Sequence, residues 1–372
     1  MTSVLEIQEL CDYIVDFLHS SPRDLKHCAL VSPSLVSSAQ YHLFHEIQFG
    51  NGVKWNDGGA CRRFCAIIKA SPHLAPLVHR IRACFTPEVL GQLREVELPN
   101  LRDLMLFRVL KDNLVTAVPE AALLMGFPSI RHIKLQDLVF AVIDDVGHLF
   151  QHCTPTLHSL ALSHIRVQSL ASTLTAYSSP RIRLKIKALN FDSIMFNGGN
   201  WLLHHSLPFD LSALEELDLG GALSPSWLKI LEQSRLSLRK LRIYAQDIIN
   251  PKYTKNPIPA TFIAQLPVLA DLTIGSLGEE LEDVETILEG LPPTNRLTRL
   301  TIDIMTRPRE ERLRPLGAAC ANMGCTVEVN LWRFMGAGLS SEDMAALVRA
   351  AFADVHERGR LVVRVRVDGG GV

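Results

Sequence analysis

A short apolar phrase, with leucine or a similar residue at its first, fourth and sixth positions, returns along most of the 372-residue sequence. The copy that runs from Leu214 through Leu217 to Leu219 places acids between its leucines. The copies begin at Val78, Leu101, Ile130, Leu157, Ile186, Leu214, Leu238, Leu269 and Leu297, in steps of 23 to 31 residues. Each copy predicts a short strand, because side chains alternate between the two faces of a strand.

This spacing is typical of leucine-rich repeats, whose units of about 20–29 residues each contain one such strand. We therefore predict an α/β fold in which residues 60–372 form a curved leucine-rich-repeat solenoid, with parallel strands inside and helices outside. A helix over residues 60–71 should cap its start, and a divergent cap should end it from about residue 305. The repeat predicts little about function, because one fold serves many partners.

The residues between the apolar positions should line the concave side of the sheet. Met105 and Phe107 are large apolar groups at such positions, and exposed groups of this kind often anchor interfaces. We predict that target binding involves Arg82, Met105, Phe107, Lys134, Asp192, Glu216, Asp218, Lys240, Arg242 and Tyr244. This set includes an acidic patch (Asp192, Glu216, Asp218) beside a basic-aromatic patch (Lys240, Arg242, Tyr244). The alternative is ordinary charge pairing between neighbouring strands, with Phe107 covered by a loop.

The phrase lacks the asparagine that usually follows at its ninth position and bonds exposed backbone at the turn. Two central copies carry Leu138 and Ile165 there instead. Because buried backbone groups are rarely left without a hydrogen bond, we expect these turns to find other backbone partners.

The C-terminal part departs from the phrase. Residues 340–358 predict one long helix that starts with a serine cap and acids in its first turn. Leu361 to Val367 then alternates strictly between aliphatic residues and a second set that includes Arg364 and Arg366. This alternation predicts a final strand at an edge, with charges on its open side.

Composition excludes several classes of protein. A net charge of −1 and a pI near 6.9 give no basic field for nucleic acid or an anionic membrane. No uncharged apolar run reaches the roughly 18 residues of a membrane span, and the first ten residues do not resemble a secretory signal. Eight irregularly spaced cysteines predict reduced thiols in a cytoplasmic or nuclear protein.

Motifs for catalysis or for cofactors are missing. The sequence has no Walker loop, no G-x-G-x-x-G after a strand and no G-x-S-x-G elbow. His148, His152 and Cys153 have zinc-like spacing but lack a further ligand, and a surface histidine pair is the simpler interpretation. Cys61 and Cys65 fall on the apolar face of a predicted helix and should be core residues. We expect no catalytic residue, no metal and no cofactor.

The first 49 residues predict three short helices, separated by Ser21-Pro22 and Ser32-Pro33. Within these helices, a recognisable pattern is formed by Leu5, Glu9-Leu10, Ile14, Phe17-Leu18, Pro22-Arg23-Asp24-Leu25, Cys28 to Ser32 and Tyr41 to Phe44. On these residues the segment resembles an F-box, in particular that of fungal families whose C-terminal part is a degenerate leucine-rich repeat. Residues 50–59, rich in glycine and asparagine, should link this domain to the repeats.

The resemblance implies that this domain docks onto the Skp adaptor of SCF ubiquitin ligases. Carried over by position, the adaptor-binding residues would be Leu5, Ile7, Leu10, Ile14, Leu18, Leu25, Leu30 and Val31. The chain would then be the substrate-recognition subunit of a cullin-RING ligase, and its concave face would bind an unknown target protein.

Two other readings stay open at this point. The helices could be only a cap, so that the chain is a leucine-rich-repeat scaffold without ligase association. Glu6 and Leu35 support this reading, because the family usually has proline and tryptophan at these positions. An enzyme with an unrecognised site around His148, His152 or Cys153 is a third reading.

Overall fold

The structure is a computed structural model. It describes residues 8–50, 58–108, 114–170, 183–192, 200–205, 207–220, 225–245, 263–276, 281–291, 296–305, 309–333 and 340–367. The chain forms two compact units, and the structure of each is given separately below. The first unit comprises Met1–Leu184 with His205–Pro208, and the second comprises Lys185–His204 with Phe209–Val372.

Three helices open the first unit: α1 (Gln8–Phe17), α2 (Pro22–Val31) and α3 (Pro33–His45). Pro22 and Pro33 occupy first-turn positions, where the missing N–H costs nothing and the fixed φ favours a helix. The three helices share a core of Cys11, Val15, Leu25, Leu35 and Ala39, against which Leu18, Cys28, Ala29 and Leu43 pack.

Strands and helices alternate through the rest of the first unit. These elements are β1 (Glu46–Gln48), α4 (Gly58–Ala70), β2 (Arg80–Cys84), α5 (Pro87–Leu93), β3 (Asp103–Phe107), α6 (Val118–Met125), β4 (His132–Gln136), β5 (Val139–Val142), α7 (Ile143–Phe150), β6 (Ser159–Ser163) and β7 (Arg166–Ser169). A 3₁₀ helix, Pro72–Leu77, follows α4. Strand β8 (Leu184–Lys185) lies in sequence at the boundary between the units.

The second unit continues the alternation. Its elements are β9 (Ala188–Asp192), a 3₁₀ helix (Asn200–Leu203), β10 (Phe209–Asp210), β11 (Glu216–Leu219), α8 (Pro225–Gln233), β12 (Lys240–Ala245), β13 (Asp271–Ser276), α9 (Glu282–Glu289), β14 (Arg299–Ile304), α10 (Glu310–Ala321), β15 (Thr326–Arg333), α11 (Ser341–Ala351), α12 (Ala353–Glu357) and β16 (Leu361–Val367).

Within each unit the repeat strands pair in parallel and in one register. In the second unit, Leu241 lies beside Leu217 on one side and Leu272 on the other. Leu272 in turn lies beside Leu300. These four leucines are 2% exposed or less, so the fourth position of the phrase forms a continuous buried row. The predicted mixed α/β arrangement of parallel repeat strands is therefore present in each unit.

The turns after β4 and β6 satisfy their backbones without asparagine. The chain bends at Asp137 and His164, whose φ angles of 56° and 53° are left-handed. The N–H of Asp137 donates to the carbonyl of Ser163, and the N–H of Arg166 donates to that of Leu138. Neighbouring turns therefore bond to each other and continue the pairing into the small β5–β7 sheet.

The single long helix predicted over residues 340–358 is wrong. Ser340 caps α11 as expected, because its hydroxyl accepts a hydrogen bond of 3.0 Å from the N–H of Asp343. At Phe352 the backbone leaves the helical region, and α12 starts anew at Ala353. The break accompanies burial of the Phe352 ring, which is 1% exposed.

Candidate protein interface

Helix α1 carries a stripe of four exposed apolar side chains, Leu10, Tyr13, Ile14 and Phe17. They are 41%, 62%, 42% and 69% exposed, respectively. Their spacing of i, i+3, i+4 and i+7 places them on one helical face. The rings of Tyr13 and Phe17 pack edge to face with centroids 4.8 Å apart. We call these four residues the α1 stripe.

A neighbouring face of α1 packs in the core of the three helices. Cys11 and Val15 are completely buried, and Leu18 packs against them. The helix is therefore apolar on two faces, although a surface helix of a globular protein normally has one. Because the core is complete without the α1 stripe, folding of the three helices does not account for the stripe.

The end of α2 adds a second exposed apolar site. Leu30 is 85% exposed and Val31 is 74% exposed. Both precede Ser32, whose extended backbone ends α2 and leads into α3. Helix geometry thus leaves these two side chains in solvent at the junction of the helices.

Polar contacts connect α1 to α3 beside the stripe. The carboxylate of Asp12 accepts hydrogen bonds from the hydroxyl of Ser38 and from the amide of Gln8, the latter at 2.8 Å. These two hydrogen bonds lower the pKa of Asp12 below its usual value. The other link joins Nε2 of His42 to the carboxylate of Asp16 at 2.7 Å. Both links help to fix the orientation of α1 on α3.

The predicted adaptor-binding residues fall into four groups. Leu10, Ile14, Leu30 and Val31 are exposed; Leu18 is half-buried; Leu5 and Ile7 lie outside the described residues. The remaining one, Leu25, is 1% exposed and lies in the core. Its placement on a docking surface is therefore corrected.

Tyr13 and Phe17 belong to the exposed stripe but were absent from the predicted set. The signal that would have found them was the presence of Cys11 and Val15 on the same helix. Two apolar faces on ten residues mean that one of them must face away from the core.

The sheet of the first unit brings three predicted target-binding residues together. Met105 lies beside Arg82 on β2 and beside Lys134 on β4. Lys134 is exposed, whereas Arg82 and Met105 are half-buried. The Lys134 ammonium group is therefore accessible to solvent, whereas the Met105 thioether and Arg82 are partly covered.

Phe107 is less available than the alternation of the strand predicts. Its Cζ atom would lie 3.3 Å from a Cβ atom at Gly50, where φ is +92°. A left-handed glycine without a side chain therefore permits the backbone to pass over the ring. Phe107 is half-buried, in keeping with the alternative that a loop covers it.

In the second unit, the predicted acidic and basic patches neutralise each other. Nζ of Lys240 lies 2.6 Å from the carboxylate of Glu216, and Arg242 lies 3.8 Å from that of Asp218. The Glu216 carboxylate raises the pKa of Lys240. The side chains of Asp192 and Tyr244 lie outside the described residues. The described charges therefore follow the alternative of pairing between neighbouring strands.

Two neighbouring polar residues on β14 and β15, Asp303 and Asn330, form a buried cluster with Arg242 on β12. Asp303 and Asn330 are only 2% and 4% exposed. Oδ2 of Asp303 accepts a hydrogen bond of 2.8 Å from Arg242, and its Oδ1 accepts another of 2.8 Å from the amide of Asn330. The alternation of side chains along a strand predicts that these positions are exposed to solvent, and no feature of the local sequence indicates that they are buried.

Two of the cysteines considered for chemistry, Cys61 and Cys153, have raised thiol pKa values. Burial raises the pKa of the Cys153 thiol to about 12. Cys61 and Cys65 are buried, as predicted, and the pKa of Cys61 is raised mainly by its hydrogen bond with Cys65. The described residues contain no group of three potential ligands that could hold a metal ion. Within the described part of the chain, no helix is long and apolar enough to cross a membrane.

No family model matches the chain, and no curated protein matches it. The solved structures that are similar to it include two with low sequence identity. One is a crystal structure of a TLR13–ssRNA13 complex, with 14% identity over 70% of this chain and a TM-score of 0.32. The other is internalin inlF from Listeria monocytogenes, with 10% identity over 80% of this chain and 76% of its own, and a TM-score of 0.30.

The chain covers only 37% of the TLR13 chain. Identities and TM-scores as low as these carry no conclusion about function. The repeat arrangement of this chain therefore rests on its own strand register.

Proposed function

We propose that this chain is a protein-binding module whose three N-terminal helices dock onto an adaptor protein. The resemblance to F-box proteins implies that the adaptor is the Skp subunit of SCF-type cullin-RING ubiquitin ligases. On this proposal, the docking surface consists of the α1 stripe together with Leu30 and Val31.

The α1 stripe is the observation that carries this proposal. Four large apolar groups on one helical face remain in water although the domain already has its own core. Clustered exposed apolar groups mark binding sites far more often than singly scattered ones do. Aromatic residues such as Tyr13 and Phe17 are also frequent among the residues that dominate binding energy.

The repeats would hold a target protein while the adaptor connects the chain to the ligase. We assign the chain no chemistry of its own, because its role would be to raise the effective concentration of a target lysine near the conjugating enzyme. The raised pKa of the buried Cys153 thiol fits this assignment, since the thiolate is the nucleophilic form. On this proposal the chain has no metal, cofactor, nucleic-acid or membrane partner. We also propose that it is located in the cytoplasm or the nucleus.

A repeat scaffold without ligase association is the second candidate function. The burial of Leu25 favours it, because one residue assigned to the docking face belongs to the core instead. The two functions differ in a single property, which is binding of the Skp adaptor.

The test is co-expression of the full chain with the Skp adaptor. We expect the wild-type chain to co-purify with it, and the double variant Ile14→Asp/Phe17→Asp to lose at least about 90% of the bound adaptor, because charges replace buried apolar contacts. Leu236→Asp is the matched control, since Leu236 is 76% exposed and lies in the other unit. It should retain the adaptor.

Circular dichroism and thermal unfolding of all three proteins show whether each one is folded. A folded wild-type chain that does not bind the adaptor would refute the ligase role and leave the repeat scaffold. Equal binding by the wild type and the double variant would refute the α1 stripe as the docking surface.

A further inference from the structure

Strand β16 forms one edge of the described sheet of the second unit. It pairs in parallel with β15, from Val327 beside Leu361 to Arg333 beside Val367. Among the strands that the structure describes, none pairs with its other side. Seven paired residues make this edge long, and long open edges are templates for a further strand.

The backbone of β16 has hydrogen-bonding groups to offer at this edge. The N–H of Val327 donates to the carbonyl of Arg360, which points toward β15. Backbone groups of successive residues point to opposite edges of a strand. Leu361, Val363 and Val365 therefore direct their N–H and carbonyl groups outward.

The apolar side chains of β16 are only half covered. Leu361, Val363 and Val365 are half-buried. Their neighbours on β15 in the same register, Val327, Val329 and Leu331, are 1% exposed or less. An outer strand with apolar residues at alternate positions would bury this row further.

The other face of β16 is basic. Arg364 and Arg366 are both exposed. Arg364 reaches back to the carboxylate of Glu328 at 3.3 Å, and Arg366 lies 5.3 Å from the centre of the Trp332 ring. Both arginines therefore have partners on β15, whereas no described strand pairs with the outer side of β16.

Two other cations on the strands lie between acids in register. Lys240 lies in register between Glu216 and Asp271, and Arg80 lies between Glu46 and Asp103. Acids on a strand added outside β16 would lie beside Arg364 and Arg366 in the same way.

We propose that the β16 edge binds an extended acidic segment of another protein as an added strand. The segment alternates acidic with aliphatic residues, so that its acids lie beside Arg364 and Arg366 and its aliphatic groups extend the row of Val363 and Val365. Backbone bonds provide the affinity and the alternate side chains provide the selectivity, as in other cases of strand addition. This surface is separate from the α1 stripe and does not depend on the function proposed above.

A second copy of this chain fits the edge poorly. Two β16 strands paired through a twofold axis would keep their basic faces on the same side of the sheet. Arg364 and Arg366 of one copy would then face the same arginines of the other, and like charges across strands are destabilising.

The test uses full-length protein and a fluorescein-labelled, acetylated hexapeptide of alternating glutamate and valine, at trace concentration. Fluorescence anisotropy should show saturable binding. The variant Val363→Pro should weaken binding at least tenfold, because proline removes an outward N–H and leaves the bonds to β15 intact. The matched control Val363→Ala keeps that N–H and should bind within about threefold of the wild type.

Charge is tested by Arg364→Glu/Arg366→Glu, which should lose the acidic peptide and bind the corresponding lysine–valine peptide. Circular dichroism confirms that each variant is folded. Binding that Val363→Pro leaves unchanged, or equal binding of both peptides by the wild type, would overturn the proposal. So would a dimer in sedimentation velocity that Val363→Pro abolishes, because the occupant would then be a second copy.

Discussion

The three N-terminal helices and the parallel strands treat their solvent-facing positions in opposite ways. On the strands, exposed charges find partners on neighbouring strands, as Lys240 does with Glu216 and Arg80 does with Asp103 at 3.0 Å. On α1, four exposed positions are apolar and lie outside the core. Charges that are paired within the chain, such as Lys240 with Glu216, point to a partner less strongly than the unpaired apolar groups of the α1 stripe do.

The largest expected loss of stability comes from replacing a buried leucine on α2, as compared with an exposed leucine on the same helix. Leu25→Ala removes a core side chain that is 1% exposed, and we expect it to lower the free energy of unfolding by about 2 to 5 kcal/mol. Urea unfolding followed by circular dichroism measures the change. Hydrogen exchange of residues 8–45 would show the loss locally if these helices open on their own.

Leu30→Ala is the matched control, because Leu30 is 85% exposed on the same helix. Its effect on stability should stay within about 0.5 kcal/mol. A similar loss of stability in both variants would mean that Leu30 is part of a core, and the comparison between helices and strands would fail.

The second effect concerns the strands, where Asp303→Ala removes the acceptor for both Arg242 and Asn330. Asn330 is 4% exposed and would lose its bond to Asp303. We expect a cost of about 1 to 3 kcal/mol, which is typical of a buried polar group left without its partner. Urea unfolding again provides the measurement.

Glu216→Ala supplies the control on the same sheet. Its ion pair with Lys240 is about half exposed on both sides, so its removal should cost no more than about 1 kcal/mol and should cost less as salt is added. If both substitutions had the same cost and the same salt dependence, the burial of Asp303 would have no energetic role.

The repeat could be predicted from sequence because it depends on a pattern with few solutions. Side chains of a strand alternate with period two, so a register shift of one residue would move Leu241, Leu272 and Leu300 from the core to water. The spacing of the phrase then leaves room for the helical segments between parallel strands. Local pattern and burial agree at these positions.

Other features depend on contacts that local pattern does not encode. Phe107 is only half exposed, because Gly50, far away in sequence, adopts a left-handed φ beside it. Asp303 is buried by groups on other strands, and α11 ends at Phe352 because that ring enters the core. The exposed face of α1 was harder still to predict. Leu10 and Val15 are both aliphatic, and only tertiary packing determines which of them is buried.

The smallest expected effect is a pH dependence of stability that arises from His45, where α3 meets the strands of the first unit. The ring of His45 stacks on that of His79, with centroids 4.8 Å apart. Burial, His79 and Arg80 lower the pKa of His45 below its usual 6.5, while Glu46 and Asp103 act in the opposite sense. The unfolded chain therefore binds a proton more readily than the folded chain does. The contribution to stability is complete above about pH 6.5 and is lost as the pH falls through the folded-state pKa.

His45→Gln should reduce this loss when urea unfolding at pH 7.5 is compared with unfolding at pH 5.5. We expect a difference of less than about 0.5 kcal/mol, because solvent screens a group that is only partly buried. His27→Gln, at an exposed position on α2, is the control and should behave like the wild type. If His45→Gln and the wild type lost stability equally on acidification, the stacked histidine pair would have no part in the response. The acid sensitivity of this unit between pH 7.5 and pH 5.5 would then have to come from other groups.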